Sequence, residues 1–211
     1  MRVLIACEYS GLVREAFRRL GHEALSCDLL PTEIPGNHYQ GNVFDIIKED
    51  WDLMIAFPPC TFLTYAGMGN WYDEGRAMLR IKAAEFFMKL WESPINKICI
   101  ENPRGIMNKI FRTPDQVVHP YYFGDRDMKR TCLWLKNLPP LKYQLHDDLF
   151  SNRTAVDKPE PIRIEMRKKT GQIKKRYFTD AFIDGHFKSA YDKSKTFPSI
   201  ANAMAEQWGG L

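Results

Sequence analysis

The stretch Asp52-Leu-Met-Ile-Ala-Phe-Pro-Pro-Cys60-Thr61 does most to decide the fold of this chain. Its apolar run predicts a buried strand. The two prolines end that strand, because proline cannot donate a hydrogen bond to a neighbouring strand. Cys60 is therefore expected at the C-terminal edge of a sheet, where α/β proteins hold their ligands. This position distinguishes Cys60 from a structural thiol inside a strand.

A second apolar stretch, Asn96-Lys-Ile-Cys-Ile-Glu101, runs directly into the corner Glu101-Asn102-Pro103. Between the two strands, from Asp73 to about Glu92, apolar residues recur every three or four positions, which predicts a long helix. A strand, a helix and another strand make the right-handed crossover that joins parallel neighbours. The Cys60 thiol and the Glu101 carboxyl should then lie at one edge of the same sheet.

The N-terminal part of the chain predicts a βαβ unit. A strand over Arg2–Cys7 precedes a helix over Gly11–Leu20, with Ser10 as its N-cap, and a strand over Glu23–Cys27 follows. Asp28 stands at the end of this second strand. Rossmann-type folds bind nucleosides in this way, because the turn brings the ligand to the backbone and the acid accepts hydrogen bonds from ribose hydroxyls. The turn has one glycine where the usual fingerprint has three.

The remaining elements are shorter or less regular. A short strand is expected over 39–43 with a helical turn after it, and residues 61–71 are interpreted as an active-site loop. The segment 129–135 predicts a strand that begins with cations. The segment 142–195 is polar, basic and contains prolines, which is typical of an insert, and 197–208 predicts a terminal helix with a proline at its start.

Composition and charge limit the classes of protein. The 211 residues are 45% hydrophobic and 27% charged, as in a globular domain with at most an appendage. The apolar runs are too short to span a membrane, and the N-terminus has no signal-peptide pattern, so a cytoplasmic location is expected. The five widely spaced cysteines indicate neither a zinc site nor a disulfide framework. Cys7, Cys27 and Cys99 are expected to be small buried hydrophobes.

The positive charge is concentrated in one segment. The net charge is +4, and Arg163 to Arg176 contains seven cations and one anion. This segment is either a solvated surface loop or a patch that contacts phosphates.

These motifs together resemble those of the DNA cytosine carbon-5 methyltransferases. Pro-Pro-Cys60 resembles the family's Pro-Cys nucleophile motif, and Ile100-Glu101-Asn102-Pro103 resembles its Glu-Asn-Val motif with proline in place of valine. Three N-terminal segments resemble the family's cofactor motifs: Ala6 to Gly11 resembles the first cofactor loop, Cys27-Asp28 resembles the ribose-binding position, and Gly41 to Ile46 resembles the Gly-Asp-Ile segment. Further along the chain, Lys129-Arg130-Thr131 resembles the Gln-x-Arg-x-Arg strand. Ser194 to Gln207 resembles the last motif of the family.

The resemblance covers about 1–140 and 194–211. The segments Lys129 to Leu135 and Ala203 to Trp208 also resemble those of a short, phage-like subset of the family. The resemblance implies an α/β, Rossmann-like, S-adenosylmethionine-dependent methyltransferase fold, with a mostly parallel sheet and helices on both faces. It also implies a catalytic domain of 1–141 and 194–211, and a small basic insert of 142–193 that serves substrate recognition. Full-sized relatives have a larger recognition region before the last motif.

The resemblance implies a DNA (cytosine-5-)-methyltransferase that uses S-adenosyl-L-methionine and takes DNA as a duplex with a flipped base or as a single strand. Cys60 would add to carbon 6 of cytosine, Glu101 would donate a proton at ring nitrogen 3, Asn102 would orient Glu101, and Arg130 would bind the exocyclic oxygen. The expected cofactor-binding residues are Glu8, Ser10, Gly11, Asp28, Asn42, Phe57, Pro58 and Asn202. The expected nucleic-acid-binding residues are Lys129, Lys168, Lys169, Lys174, Lys175 and Arg176.

Two alternatives remain open from the sequence. The same chemistry could act on a pyrimidine nucleotide or on RNA, because the recognition region is short. The chain could also be a non-catalytic member of the family that binds nucleic acid or a partner subunit.

Overall fold

The computed structural model describes residues 1–65, 74–143, 158–161, 163–166, 171–177 and 195–211. The chain divides into two compact units. Unit 1 comprises Met1–Val118, Arg130–Leu141 and Ala201–Leu211, and unit 2 comprises His119–Lys129 and Lys142–Ile200. Within the described ranges, no helix is both long enough and apolar enough to cross a membrane.

Unit 1 contains a seven-stranded sheet in the order β3-β2-β1-β4-β5-β7-β6. The strands are β1 Arg2–Ala6, β2 Glu23–Asp28, β3 His38–Gln40, β4 Leu53–Ala56, β5 Lys97–Asn102, β6 Gln116–Val118 and β7 Thr131–Lys136. The first five strands in chain order are parallel, and β7 runs antiparallel to both β5 and β6. The α-helices are α1 Leu12–Arg19, α2 Glu74–Trp91, α3 Met107–Ile110 and α4 Pro198–Trp208.

Helices cover both faces of this sheet. From β1 the chain crosses through α1 to β2 on one side, and from β4 it crosses through α2 to β5 on the other side. Right-handed crossovers in opposite directions place α1 and α2 on opposite faces. Helix α4 lies on the α1 side, since Arg19 donates a hydrogen bond to Asn202 at 3.4 Å. The expected Rossmann-like fold, α/β with a mostly parallel sheet and helices on both faces, is confirmed.

Strand alternation separates two layers of core. On the α2 face, alternate residues of the central strands pack with Phe87 and Leu90 of α2; these strand residues are Leu4, Ala6, Met54, Ala56, Ile98 and Ile100. The intervening residues point to the opposite face and are also fully buried, among them Val3, Ile5, Leu53, Ile55 and Cys99. Since β1, β4 and β5 are buried on both faces, their sequences are continuous apolar runs without polar alternation.

Several elements differ from the sequence-based expectation. Strand β7 begins at Thr131, so Lys129 and Arg130 precede it. Strand β6 and the hairpin of β8 (Arg163–Met166) and β9 (Ile173–Arg176) were not expected, because they are short and lack a long apolar run. In α2, Ile81 is 53% exposed, although the sequence pattern predicts a buried stripe of Ala77, Ile81, Ala84, Phe87, Met88 and Trp91. The stripe packs in the core only in the second half of the helix.

Unit 2 contains an aromatic cluster and the β8–β9 hairpin. The ring centroids of Tyr121 and Tyr122 are 4.6 Å apart, and those of Tyr122 and Tyr143 are 4.4 Å apart. The Ser199 hydroxyl donates a short hydrogen bond to Asp125. The two strands of the hairpin pair antiparallel.

Candidate active site

The ends of β4 and β5 are joined by a buried hydrogen bond. Asn102 is the last residue of β5, and its side-chain Nδ2 donates to the backbone oxygen of Pro58 at 2.8 Å. Asn102 is 1% exposed, and its Oδ1 makes no hydrogen bond to any described residue. Because Pro58 lies two residues before Cys60, this bond fixes the backbone that carries the thiol.

The turns that follow the two strands are also joined. The Ile106 backbone donates to the Leu63 oxygen at 2.8 Å, and Thr64 forms an antiparallel bridge with Gly105. A Cβ atom at Gly105 would overlap the Leu63 oxygen, so only glycine allows this approach. We call residues 61–65 and 103–106 the paired turns. They hold the Cys60 segment and the Glu101–Asn102 corner together.

Cys60 opens the first of the paired turns. Its backbone oxygen accepts hydrogen bonds from the N–H groups of Leu63 and Thr64 at 3.0 and 2.9 Å. The Cys60 side chain is half-buried, as is that of Glu101 in β5. The structure therefore brings the predicted nucleophile and acid to the ends of adjacent parallel strands.

Arg130 and Arg104 lie near the same corner. Burial raises the pKa of the Cys132 thiol, and the charges of Arg130, Glu101 and Arg104 all act on that thiol. Both arginines are exposed. Arg104 was not predicted as a site residue, although it follows Glu101-Asn102-Pro103 directly.

A pocket of about 420 Å³ opens at the C-terminal ends of β1, β2 and β4. Two predicted cofactor residues, Asp28 and Asn42, line it. The other lining residues are Cys7, Cys27, Leu29, Gly41, Val43, Pro59, Phe62, Leu79, Lys82, Ala83 and Phe86. Pro59 and Phe62 flank Cys60 in sequence, so the pocket wall is continuous along the chain with the segment that carries Cys60.

Helix α2 supplies a pocket wall that the sequence analysis missed. Leu79, Ala83 and Phe86 recur at intervals of four and three residues and line the pocket with Lys82. This second apolar stripe in α2 was the available signal.

Asp28 and Asn42 keep polar atoms available beside the pocket. Asp28 Oδ1 accepts from the Leu30 N–H at 3.0 Å, and its Oδ2 has no partner among the described residues. Asn42 Oδ1 accepts from the Phe44 N–H at 3.1 Å, which caps the 3₁₀ turn Val43–Asp45. Its Nδ2 therefore remains as a hydrogen-bond donor beside the pocket.

Two thiols line the pocket beside Asp28. Cys7 has the left-handed backbone conformation, with φ 59°, which is uncommon for a residue other than glycine. Burial, the Asp28 charge and Cys27 raise the pKa of Cys7 well above its usual value. Burial and the nearby Asp28 and Asp45 raise the pKa of Cys27 to about 12. Both groups are therefore neutral thiols at physiological pH. As expected, Cys27 and Cys99 are buried, whereas Cys7 is half-buried.

Glu8, Ser10 and Gly11 form a compact turn that does not line the pocket. Glu8 is 5% exposed, and its Oε1 accepts from the Ser10 hydroxyl at 2.6 Å and the Val13 N–H at 3.1 Å. Burial raises the pKa of Glu8 despite these hydrogen bonds. The expected N-cap at Ser10 is wrong: Gly11 is the N-cap, with φ 79°. The left-handed conformation of Gly11 turns the chain back, and this brings the Val13 N–H in the first turn of α1 within hydrogen-bond distance of Glu8.

The space next to Gly11 is filled by a buried arginine. A Cβ at Gly11 would lie 2.7 Å from Arg14 Nη2. Arg14 is fully buried, and its guanidinium donates to Ser26 Oγ at 2.9 Å and to the Ile34 backbone oxygen. This arginine ties α1 to β2 and to the loop after Asp28. The sequence analysis missed it, because a cation in an amphipathic helix normally faces solvent.

Three other predicted cofactor residues lie outside the pocket lining. The Phe57 N–H donates to the Ala6 oxygen and continues the pairing of β4 with β1. Pro58 is buried, and its backbone oxygen accepts the hydrogen bond from Asn102. Asn202 contacts Arg19 in the last turn of α1, whereas the pocket-side end of α1 is its first turn. The structure does not bring Asn202 to the pocket.

The predicted nucleic-acid-binding residues are only partly described. Lys129 of unit 2 donates to the Lys195 backbone oxygen at 3.4 Å and lies 5.8 Å from the Phe197 ring centroid. Lys175 is exposed on β9. Lys174 and Arg176 belong to β9, but their side chains lie outside the described part, as do Lys168 and Lys169.

No family model and no curated protein matches this chain. Solved structures do match, among them a prophage-encoded Escherichia coli protein described as "putative DNA modification methyltransferase". The match has 16% sequence identity and a TM-score of 0.43, and it covers 64% of this chain and 46% of that one. The matched part is thus less than half of the E. coli protein.

Proposed function

We propose that this protein is an S-adenosylmethionine-dependent methyltransferase that methylates carbon 5 of cytosine in DNA through a covalent cysteine adduct. The observation that carries the proposal is the joined pair of strand ends: Cys60 after β4, Glu101–Asn102 at the end of β5, and the Asn102–Pro58 hydrogen bond between them. A thiol and a carboxyl presented together by adjacent parallel strands are the groups that this reaction requires.

The chemistry begins at Cys60. The thiolate adds to carbon 6 of cytosine, which makes carbon 5 nucleophilic and divides one difficult substitution into easier steps. After carbon 5 has gained the methyl group, it loses its proton to a base. The carbon–sulfur bond then breaks, which restores the aromatic ring and the thiolate. The half-buried position of Cys60 allows access to a base while limiting water.

Glu101 and Arg130 act on the ring during the addition. Addition at carbon 6 places negative charge on ring nitrogen 3, where the Glu101 carboxyl donates a proton. Arg130, which is exposed near the same corner, binds the exocyclic oxygen. Asn102 supports the geometry by holding Pro58, so it positions the segment that carries Cys60.

The pocket at the ends of β1, β2 and β4 fits an adenosyl group. Asp28 offers an uncommitted carboxylate oxygen for ribose hydroxyls, Asn42 offers a donor for the base, and Phe62 and Phe86 supply apolar walls. S-adenosylmethionine supplies an electrophilic methyl group when bound. The pocket lining reaches Pro59, one residue from the nucleophile, as methyl transfer beside Cys60 requires.

DNA is the preferred substrate because the chain carries a basic segment, Arg163 to Arg176, suited to a phosphate backbone. A cytosine inside a duplex cannot reach Cys60, so the base must be flipped out or presented in a single strand.

The test is covalent trapping by DNA that contains 5-fluorocytosine, in the presence of S-adenosylmethionine. Fluorine at carbon 5 cannot be removed as a proton would be, so the adduct should persist and peptide mass spectrometry should place it on Cys60. Cys60→Ser should abolish trapping, and Glu101→Gln should slow it without moving the site. Unchanged methyl transfer by Cys60→Ser would refute the covalent mechanism. Activity on free deoxycytidine nucleotides with none on DNA would instead favour a nucleotide substrate.

A further inference from the structure

The β8–β9 hairpin has two chemically different faces. In the antiparallel register, Ile164 pairs with Lys175 and Met166 pairs with Ile173. Paired residues share a face, and residues two apart on one strand share it too. One face therefore carries Ile164, Met166, Ile173 and Lys175. We call it the apolar ribbon face.

The apolar ribbon face is open to solvent. Ile164, Met166 and Ile173 are 62%, 72% and 67% exposed. The opposite face carries Arg163 and Glu165, which form an ion pair at 3.2 Å. Three large neighbouring apolar side chains on a two-stranded ribbon form a patch of the kind that marks a binding surface.

The net positive charge of the segment that contains the hairpin indicates the partner. The segment from Arg163 to Arg176 has seven cations and one anion, so two copies of the hairpin would repel each other. A nucleic acid would contact both the cations and the apolar side chains of the hairpin, because cations contact phosphates while apolar side chains contact base edges. The major groove is about 12 Å wide and admits a two-stranded ribbon, and thymine methyl groups there provide apolar contacts.

We propose that the apolar ribbon face enters the major groove of duplex DNA, with Ile164, Met166 and Ile173 against base edges and Lys175 toward the phosphates. The proposal takes from the proposed function only that the chain acts on DNA. It assigns to the hairpin direct contact with base edges in the groove, whereas a basic loop would contact only the phosphates.

The experiment measures DNA binding without cofactor, by fluorescence anisotropy of a labelled duplex at several salt concentrations. Ile164→Thr and Ile173→Thr keep a β-branched side chain and remove apolar surface. Each should weaken binding roughly fivefold, the expected loss for one or two buried carbons, and should leave the salt dependence unchanged. Lys175→Gln should instead reduce the slope of log K against log salt by about 0.9. The matched control is Ile81→Thr, because Ile81 is also an isoleucine that is 53% exposed, on helix α2.

A second duplex tests the groove directly. Replacing thymine by uracil removes a methyl group from the major groove and leaves the phosphate charge unchanged. Wild type should bind the uracil duplex more weakly than the thymine duplex, and Ile164→Thr should reduce that difference. Protection of guanine N7 from dimethyl sulfate should also decrease in the hairpin variants.

Three results would overturn the proposal: unchanged binding by both isoleucine variants, equal affinity of wild type for the two duplexes, or a wild-type dimer that either isoleucine variant converts to a monomer. Methyl transfer is measured separately by cofactor labelling. Unchanged DNA binding by the hairpin variants, with Cys60 trapping intact in wild type, would therefore reject this inference alone. Weakened binding by those variants, with no trapping at Cys60 in wild type, would reject the proposed function alone.

Discussion

At the scale of single residues, Asn102 matters more for structure than its motif suggests. The family resemblance gives this asparagine the role of orienting the neighbouring acid. In the structure its amide donates across to Pro58, on the strand that leads to Cys60. One side chain of β5 thus fixes the exit of β4, and the relative position of the two strand ends depends on that bond.

Replacing Asn102 tests this dependence. Asn102→Ala leaves the Pro58 carbonyl without its buried donor and should lower the free energy of unfolding by about 1–3 kcal/mol. Asn102→Asp should cost more at neutral pH, because it places a carboxylate against a carbonyl in a buried site. Urea unfolding measures both. Asn37→Ala is the control, since Asn37 is exposed and its side chain makes no hydrogen bond to described residues. Equal stability of Asn102→Asp and wild type would contradict the role.

Glu8 is the residue whose ionisation should affect stability. Burial raises its pKa above the ordinary value of 4.5, and its Oε2 has no hydrogen-bond partner among the described residues. Below pH 4.5 the side chain is protonated in both the folded and unfolded states. As pH rises from there, the unfolded state ionises first, so Glu8 progressively disfavours folding until its folded-state pKa is passed.

Glu8→Gln should remove this pH dependence. The free energy of unfolding of the variant relative to wild type should increase as pH rises above about 4.5 and then level off. Urea titrations of both proteins between acidic and neutral pH measure the difference. A constant or decreasing difference would show that Glu8 is not destabilised by burial.

At the scale of elements, the paired turns convert two separate strand exits into one site. Their contact depends on backbone groups of Leu63, Thr64 and Ile106, so few side-chain identities are required. Gly105 is the exception, because the Leu63 oxygen occupies the position of its absent Cβ. The geometry of the candidate site therefore depends on one glycine that carries no chemistry.

Gly105→Ala should separate the paired turns. The overlap with backbone atoms cannot be relieved by a side-chain rotation, and the expected loss of stability is roughly 1–3 kcal/mol. Amide hydrogen exchange at Ile106, whose N–H donates to Leu63, should accelerate. Gly210→Ala is the matched control, since no atom lies within 4 Å of a Cβ there. Normal exchange at Ile106 in Gly105→Ala would disprove the packing argument.

At the scale of the whole molecule, the sheet of unit 1 collects groups from distant parts of the chain. The pocket combines the ends of β1 and β2, the Asn42 turn, the segment before Cys60 and one side of α2. A ligand that binds this folded arrangement, and not the unfolded chain, must stabilise the protein.

S-adenosylmethionine and S-adenosylhomocysteine should therefore raise the melting temperature. At a ligand concentration a hundred times the dissociation constant, the stabilisation should be about 2.7 kcal/mol. Asp28→Ala should reduce the shift because it removes the carboxylate beside the pocket, whereas Asp50→Ala, an exposed control in a loop, should not. Differential scanning fluorimetry measures the shift without any need for turnover. Equal shifts for the two variants would exclude Asp28 from cofactor binding.

The sequence was sufficient for the central strands of the sheet and for where those strands end. Apolar runs that end at Pro58-Pro59 and at Pro103 gave two parallel strands and their exits, because continuous hydrophobicity marks strands buried on both faces. Periodic apolar residues gave α1, α2 and α4. Short edge elements such as β6 and the β8–β9 hairpin bury too little surface to leave such a pattern.

By itself, the sequence determined that Cys60 and Glu101 end neighbouring strands and that Asp28 ends β2, because strand order along the chain and crossover handedness are local properties. Only the tertiary structure decided that Asn102 holds Pro58, that Gly105 packs on Leu63, and that Glu8 and Arg14 turn inward. These are contacts between segments distant in sequence or choices of side-chain direction. They depend on which polar groups become buried when the chain packs and on which partners those groups then find. The periodicity of apolar residues in the sequence carries no information about either.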